Sequence, residues 1–176
     1  MIDRRLFTVS ALALFACGRP PGAQSQENAA GEADARIVDW GESDTDWTSL
    51  TENDWRARLT DEEFRVLRQE GTERAGSSPL NDEHRAGTYV CAGCALPLFR
   101  SETKFESGTG WPSFYEPIEG ALDTKRDYRL WTPRTEYHCA RCSGHQGHVF
   151  DDGPPPTGQR WCNNGVALDF VPDAAA

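Results

Sequence analysis

The spacing of apolar and polar residues changes character at Gly87. Before it, Trp55 and Leu59 stand four apart and Phe64 and Leu67 three apart, the spacing of one helix face. Thr51 predicts the N-cap of a first helix, and Thr60 with Glu63 a capping box for a second. Gly71 is expected to stop that second helix. After Gly87 the apolar runs are short. Thr88–Cys91, Leu96–Phe99, Glu136–Cys139, His148–Phe150, Arg160–Cys162 and Ala167–Val171 predict strands. Gly108, Gly110, Gly120, Gly144, Gly147, Gly153 and Gly158 read as breaks between them. Many short strands behind two helices predict a mainly β fold of two packed antiparallel sheets.

The ends of the chain do not share this pattern. Arg4-Arg5 precedes an apolar run from Leu6 to Ala16, too short for a membrane anchor but suited to an export signal over residues 1–17. Arg4-Arg5-Leu6-Phe7 resembles a twin-arginine signal, and Leu14-Phe15-Ala16-Cys17 a bacterial lipobox whose cysteine carries a lipid anchor. An ordinary cleaved signal with an incidental cysteine is the plainer alternative. Residues 18–46 read as a flexible tether; from Gly18 to about Asp34 they are rich in Gly, Pro, Ala, Gln and Glu. The folded domain is expected over 47–171, with 172–176 a frayed end. These features predict a periplasmic protein, lipid-anchored if Cys17 is modified.

Length and charge narrow the function. The 176 residues suit one moderate domain plus a tail, large enough to bury a core without help from a metal. A net charge of −10 argues against nucleic acid as a partner, because phosphate contacts need a basic surface.

Candidate chemistry lies in the cysteines. Cys91/Cys94 and Cys139/Cys142 form two Cys-x-x-Cys pairs with 44 residues, 95 to 138, between them. Each pair follows a predicted strand, where one tight turn aims two sulfurs at a point. Four thiolates complete the coordination of zinc and leave no open position, so this pattern predicts a structural site. Export supplies a competing reading, in which the pairs close on themselves or cross-link as disulfides. The fifth cysteine, Cys162, sits alone in Arg160-Trp161-Cys162-Asn163-Asn164, beside a cation and amides, as a reactive thiol does.

Five segments then converge: Gly108-Thr109-Gly110-Trp111-Pro112-Ser113-Phe114, His145-Gln146-Gly147-His148-Val149-Phe150, Asp152-Gly153-Pro154, Pro156-Thr157-Gly158 and Arg160-Trp161-Cys162-Asn163-Asn164. Together with the paired cysteines they closely resemble the methionine-R-sulfoxide reductase B family, from about Trp47 to Phe170. The resemblance implies two antiparallel sheets with a few helices and a structural Zn2+ on Cys91, Cys94, Cys139 and Cys142. It implies oxidised proteins or peptides as substrates and a thioredoxin-like or small-thiol reductant.

The same resemblance implies the roles of single residues. Cys162 matches the catalytic cysteine, with Arg160 placed to favour its thiolate. His145 and His148 match histidines able to deliver a proton, and Asn164 an asparagine that holds substrate and water. Trp111 matches the aromatic contacting the substrate's methyl group. Thr109 stands where many members carry a resolving cysteine, so no internal disulfide is expected in turnover. Taken singly, each has a plainer reading: Trp111 as core filler, Asn164 as a turn former, Arg160 as a surface charge. Two functional alternatives remain open on the sequence. One is a secreted zinc-ribbon-like binding module with a buried Cys162. The other is a thiol–disulfide oxidoreductase working through one Cys-x-x-Cys pair.

Overall fold

Two capped helices lead into the sheets. The computed structural model describes residues 45–174. The signal expected over 1–17, Cys17 and nearly all of the 18–46 tether lie outside the described residues. Helix α1 (Glu52–Arg58) is capped by Thr51 with Asp54, and α2 (Asp61–Leu67) by Thr60 with Glu63; both are reciprocal capping boxes. Trp55 from α1 and Phe64, Val66 and Leu67 from α2 are buried. Gly71 does not end α2. The helix closes at its cap Arg68, and Glu70 takes the left-handed turn with φ 53° while the Gly71 N–H reaches back to the Arg65 carbonyl at 2.9 Å.

Nine strands follow: β1 (Gly87–Cys91), β2 (Pro97–Arg100), β3 (Lys104–Phe105), β4 (Ser113–Phe114), β5 (Leu122–Asp127), β6 (Arg134–Cys139), β7 (His145–Phe150), β8 (Arg160–Asn163) and β9 (Leu168–Pro172). They form a three-stranded sheet, β2-β1-β9, and a six-stranded sheet, β3-β4-β8-β7-β6-β5, with antiparallel pairing throughout. The expected mainly β fold of two antiparallel sheets is the observed one. Strand β9 pairs through Pro172, and the Asp173 N–H bonds the Ala86 carbonyl at 3.0 Å, so the ladder continues into the segment expected to fray.

Aromatic rings join the two sheets. Phe99 of β2 stacks on Phe114 of β4 with ring centres 4.1 Å apart, and Tyr89 of β1 meets the same ring edge-on at 4.9 Å. Tyr137 of β6 also meets Phe99 edge-on, at 6.3 Å. The edge-on contacts have the geometry that ring quadrupoles favour.

Gly147 is not a break between strands. It lies inside β7, and a Cβ there would overlap the Cys162 carbonyl oxygen. The missing side chain lets β7 and β8 approach at the pair that carries the candidate chemistry.

Candidate active site and cysteine cluster

The register of the large sheet assembles the site. Ser113 pairs with Cys162, Cys162 with His148, His148 with Glu136, and Glu136 with Lys125. Directly paired residues share a face, so these five side chains form one row across β4, β8, β7, β6 and β5. Their neighbours Phe114, Trp161 and Tyr137 point to the opposite, core-facing side.

Cys162 is half-buried at the centre of this row. Burial pushes its thiol above the ordinary value of 9.0, against the charge of Arg160 and hydrogen bonds from Thr109, Arg160 and Ser113. Arg160 therefore pulls toward the thiolate, as expected, but burial outweighs it. The Arg160 guanidinium is itself held by both oxygens of Asp152, at 2.8 and 3.0 Å, and stacks over Phe150. The hydroxyls beside the thiol are linked: Ser107 Oγ lies 2.8 Å from Thr109 Oγ1 and 2.9 Å from Ser113 Oγ.

His148 meets Asp127 through Nε2 at 2.7 Å. Burial lowers its pKa below 6.5, against the pull of Asp127, with Arg134 and His145 also opposing a positive ring. Asp127 in turn takes the Arg129 backbone N–H at 2.9 Å and the Arg134 guanidinium at 2.6 Å. Led by the Arg129 N–H, these bonds hold its carboxyl far below the usual range.

His145 is deeper. Its Nδ1 lies 2.6 Å from Glu136 Oε1, and its buried Nε2 has no partner. Burial alone would raise the Glu136 carboxyl; hydrogen bonds from His145 and His138 reverse that and hold it low. The two histidine rings meet edge-on with centres 5.5 Å apart.

Trp111 is half-buried, its indole N–H donating to the Glu73 carbonyl at 3.3 Å. Asn164 is buried, with one bond at each end of its amide. Oδ1 accepts the Glu73 N–H at 3.0 Å, and Nδ2 donates to the Gln146 carbonyl at 2.9 Å. These two bonds brace the strand ends. The Glu73 carboxylate then takes the Gly165 and Val166 N–H groups at 2.6 and 3.0 Å. One buried residue thus ties Trp111, Asn164 and the turn after β8 together.

The four paired cysteines meet at the end of the small sheet. Both turns have the same form, with a non-glycine residue at positive φ directly after the second cysteine: Ala95 at 56° and Ser143 at 57°. The N–H of that residue returns to the first cysteine's carbonyl, at 2.7 Å in one turn and 2.8 Å in the other. All four sulfurs are buried and lie within 4.8 Å of one another. The close contacts run between turns, Cys91 to Cys142 at 3.7 Å and Cys94 to Cys139 at 3.5 Å. Thiolates around one tetrahedral zinc, each ~2.3 Å from it, stand about 3.8 Å apart, whereas a disulfide needs ~2.0 Å. Neighbouring thiols, Cys142 first, hold the Cys139 proton off, while hydrogen bonding to Cys139 pushes Cys91 and Cys142 up. A divalent cation is what lets all four ionise together, so the donor set fits a metal.

Several residues here have roles that the sequence did not assign. Asp127, Glu136 and Arg134 gain their roles through register, and Gln146 and Asn163 through burial. Gln146 Nε2 donates to Cys91 Sγ at 3.3 Å, while its Oε1 accepts from Asn163 Nδ2 at 3.3 Å. Asn163 Oδ1 takes the Tyr137 hydroxyl at 2.8 Å. A satisfied polar thread thus connects the cysteine cluster to the residue beside Cys162.

A lone half-buried thiol facing a carboxylate-held histidine, on a two-sheet β scaffold with a separate four-thiol cluster, defines a cysteine-dependent oxidoreductase. Residues 59–172 match the SelR domain. A peptide methionine sulfoxide reductase MsrB of Pseudomonas putida is 56% identical over 123 residues, covering 69% of this chain and 92% of that protein. Its counterpart in Leptospira interrogans is 50% identical over 121 residues, covering 68% of this chain and 92% of that one. The chloroplastic peptide methionine sulfoxide reductase B1 of Arabidopsis thaliana is 51% identical over 124 residues, covering 70% and 61%. The chain belongs to the SelR-domain, methionine-R-sulfoxide reductase B family.

Proposed function

We propose that this protein reduces the R epimer of methionine sulfoxide in proteins and peptides, through Cys162. The observation that carries this is the row Ser113–Cys162–His148, which sets the one thiol outside the cluster among the described residues beside hydroxyls and opposite a held imidazole. The net step balances without an outside proton. The sulfoxide oxygen passes to Cys162, whose thiol becomes a sulfenic acid, and the methionine sulfur gains the two electrons that the cysteine sulfur loses. The thiol proton ends on that oxygen.

Both groups start in the form this step needs. Burial keeps Cys162 protonated and His148 neutral. With Nε2 spent on Asp127, Nδ1 of His148 is the atom that relays the proton. Trp111 walls the cleft against the substrate's methyl group. Arg160, fixed by Asp152, steadies the developing thiolate. His145 and Asn164 position the strands.

An external thiol then attacks the sulfenic acid, water leaves, and a second thiol frees Cys162 from the mixed disulfide. A structural zinc ion on Cys91, Cys94, Cys139 and Cys142 would pin β1 to β6. The arginine pair and apolar run in residues 1–17 support an export signal and a periplasmic location, with Cys17 as a lipid attachment point.

The test is an assay of purified protein with dithiothreitol and separated R and S epimers of N-acetyl-methionine sulfoxide. Only the R epimer should be consumed, and Cys162→Ser should stop turnover while the fold and bound metal persist. An active Cys162→Ser protein, or consumption of the S epimer alone, would overturn the proposal.

A further inference from the structure

Among the described residues, the large hydrophobic side chains that stand exposed share one turn. Tyr128, Leu130 and Trp131 are 73%, 56% and 101% exposed, and all lie between β5 and β6. A single exposed hydrophobic is ordinary; three within four residues make a patch. The stem beneath it is fastened. The Arg129 N–H and the Arg134 guanidinium both bond Asp127, and the Arg129 side chain reaches Glu70 Oε2 at 2.8 Å and the Glu70 carbonyl at 3.2 Å. Asp127 is also the residue that holds His148. The patch therefore begins one residue from the group that orients the imidazole opposite Cys162.

We propose that this tip docks the extended, apolar stretch of polypeptide on either side of an oxidised methionine. The inference rests on the sulfoxide-reducing function proposed above. Oxidation turns a flexible apolar side chain into a polar one and disrupts the core around it, so the chain beside the lesion exposes its apolar neighbours. Those neighbours are what three exposed apolar side chains on a fastened stem recognise. Size favours this occupant over a second copy of the chain. Aromatic side chains bury about 150–250 Å² each, so the patch offers roughly 500 Å², below the ~800 Å² per partner of a stable interface. A brief contact that releases product is what an enzyme surface needs. A bilayer seated on the tip would instead lie beside the histidine that a protein substrate must reach.

The test compares three substrates: a fifteen-residue peptide carrying methionine-R-sulfoxide between leucines and valines, the same peptide with serine flanks, and N-acetyl-methionine-R-sulfoxide. In Leu130→Ser/Trp131→Ser protein, KM for the apolar peptide should rise about tenfold with kcat unchanged. Constants for the other two substrates should stay at wild-type values, and Trp131→Phe should retain most of the affinity. An unchanged KM for the apolar peptide, or an equal loss with serine flanks, overturns the inference while leaving the reductase reading intact. Loss of a solution dimer, or of binding to phosphatidylglycerol vesicles, with unchanged peptide kinetics assigns the tip to those partners instead. Failure of the wild-type protein to reduce even the N-acetyl substrate overturns both.

Discussion

At Cys162 two opposing influences meet, and their balance sets the chemistry. Burial favours the thiol, while Arg160, Thr109 and Ser113 favour the thiolate. Alkylation of Cys162 by iodoacetamide should therefore rise with pH to a midpoint above 9, and Thr109→Val should move that midpoint higher by removing a hydrogen bond to sulfur. His148 sets the acid limb of activity. Its pKa lies below 6.5, so the ring is neutral and able to accept the thiol proton above that pKa, and charged and blocked below it. On the acid side, the profile of kcat/KM should fall under pH 6.5. His148→Ala should lower kcat by about 10²–10⁴, the usual contribution of a positioned acid–base group. Asp127→Asn weakens the pull that keeps His148 basic, so its acid limb should shift to still lower pH. Cys162 and both histidines were legible in the sequence because reactive side chains sit in recognisable segments. Asp127 and Glu136 were not, because each serves a partner on another strand, 21 residues away for Asp127 and 9 for Glu136.

At the level of strands and helices, legibility followed side-chain pattern. Strands β1, β2, β6, β8 and β9 carry the β-branched and aromatic residues that mark a half-buried strand. Strand β5 escaped because Asp123, Thr124, Lys125 and Arg126 are all exposed, leaving no apolar alternation to read. It lies at the sheet's edge, where charge guards against pairing with another molecule. Strands β3 and β4 have two residues each, too few for any periodicity. The N-caps Thr51 and Thr60 were legible, since N-capping is a local rule, while the C-terminal stop of the second helix was misplaced at Gly71. Gly147 was misread because glycine signals both breaks and close approaches, and only the neighbouring strand distinguishes them. Gly147→Ala should force β7 from β8 and cost at least about 3 kcal/mol, measured by urea denaturation. Gln146→Leu removes a donor to Cys91 while leaving β7 intact, and should speed zinc loss to a chelator about tenfold.

For the whole molecule, the two cysteine turns join separate sheets. Cys91 ends β1 of the small sheet and Cys139 ends β6 of the large one, so a metal held by both turns would staple them. Trp55 of α1 packs close to Gly93 in the first turn, and Arg68 after α2 bonds the Cys142 carbonyl at 2.8 Å, so the helices close over the staple. Stripping metal should lower the midpoint of thermal unfolding and loosen the helices along with the sheets, seen as earlier proteolysis before Gly87. The spacing of the cysteines made a metal site legible; that it bridges sheets became visible only with strand order.

The hydroxyl of Thr109 beside Cys162 has a consequence for the protein's lifetime. Among the described residues, the remaining cysteines are those of the buried cluster, so no neighbouring sulfur stands ready to cap the oxidised side chain. If each repair leaves Cys162 as a sulfenic acid, the molecule waits in that state for a carrier to arrive. When carriers run short, peroxide reaches the same atom and drives it to the sulfinic acid, from which ordinary thiols offer no return. The enzyme's endurance under stress is thus set by its surroundings.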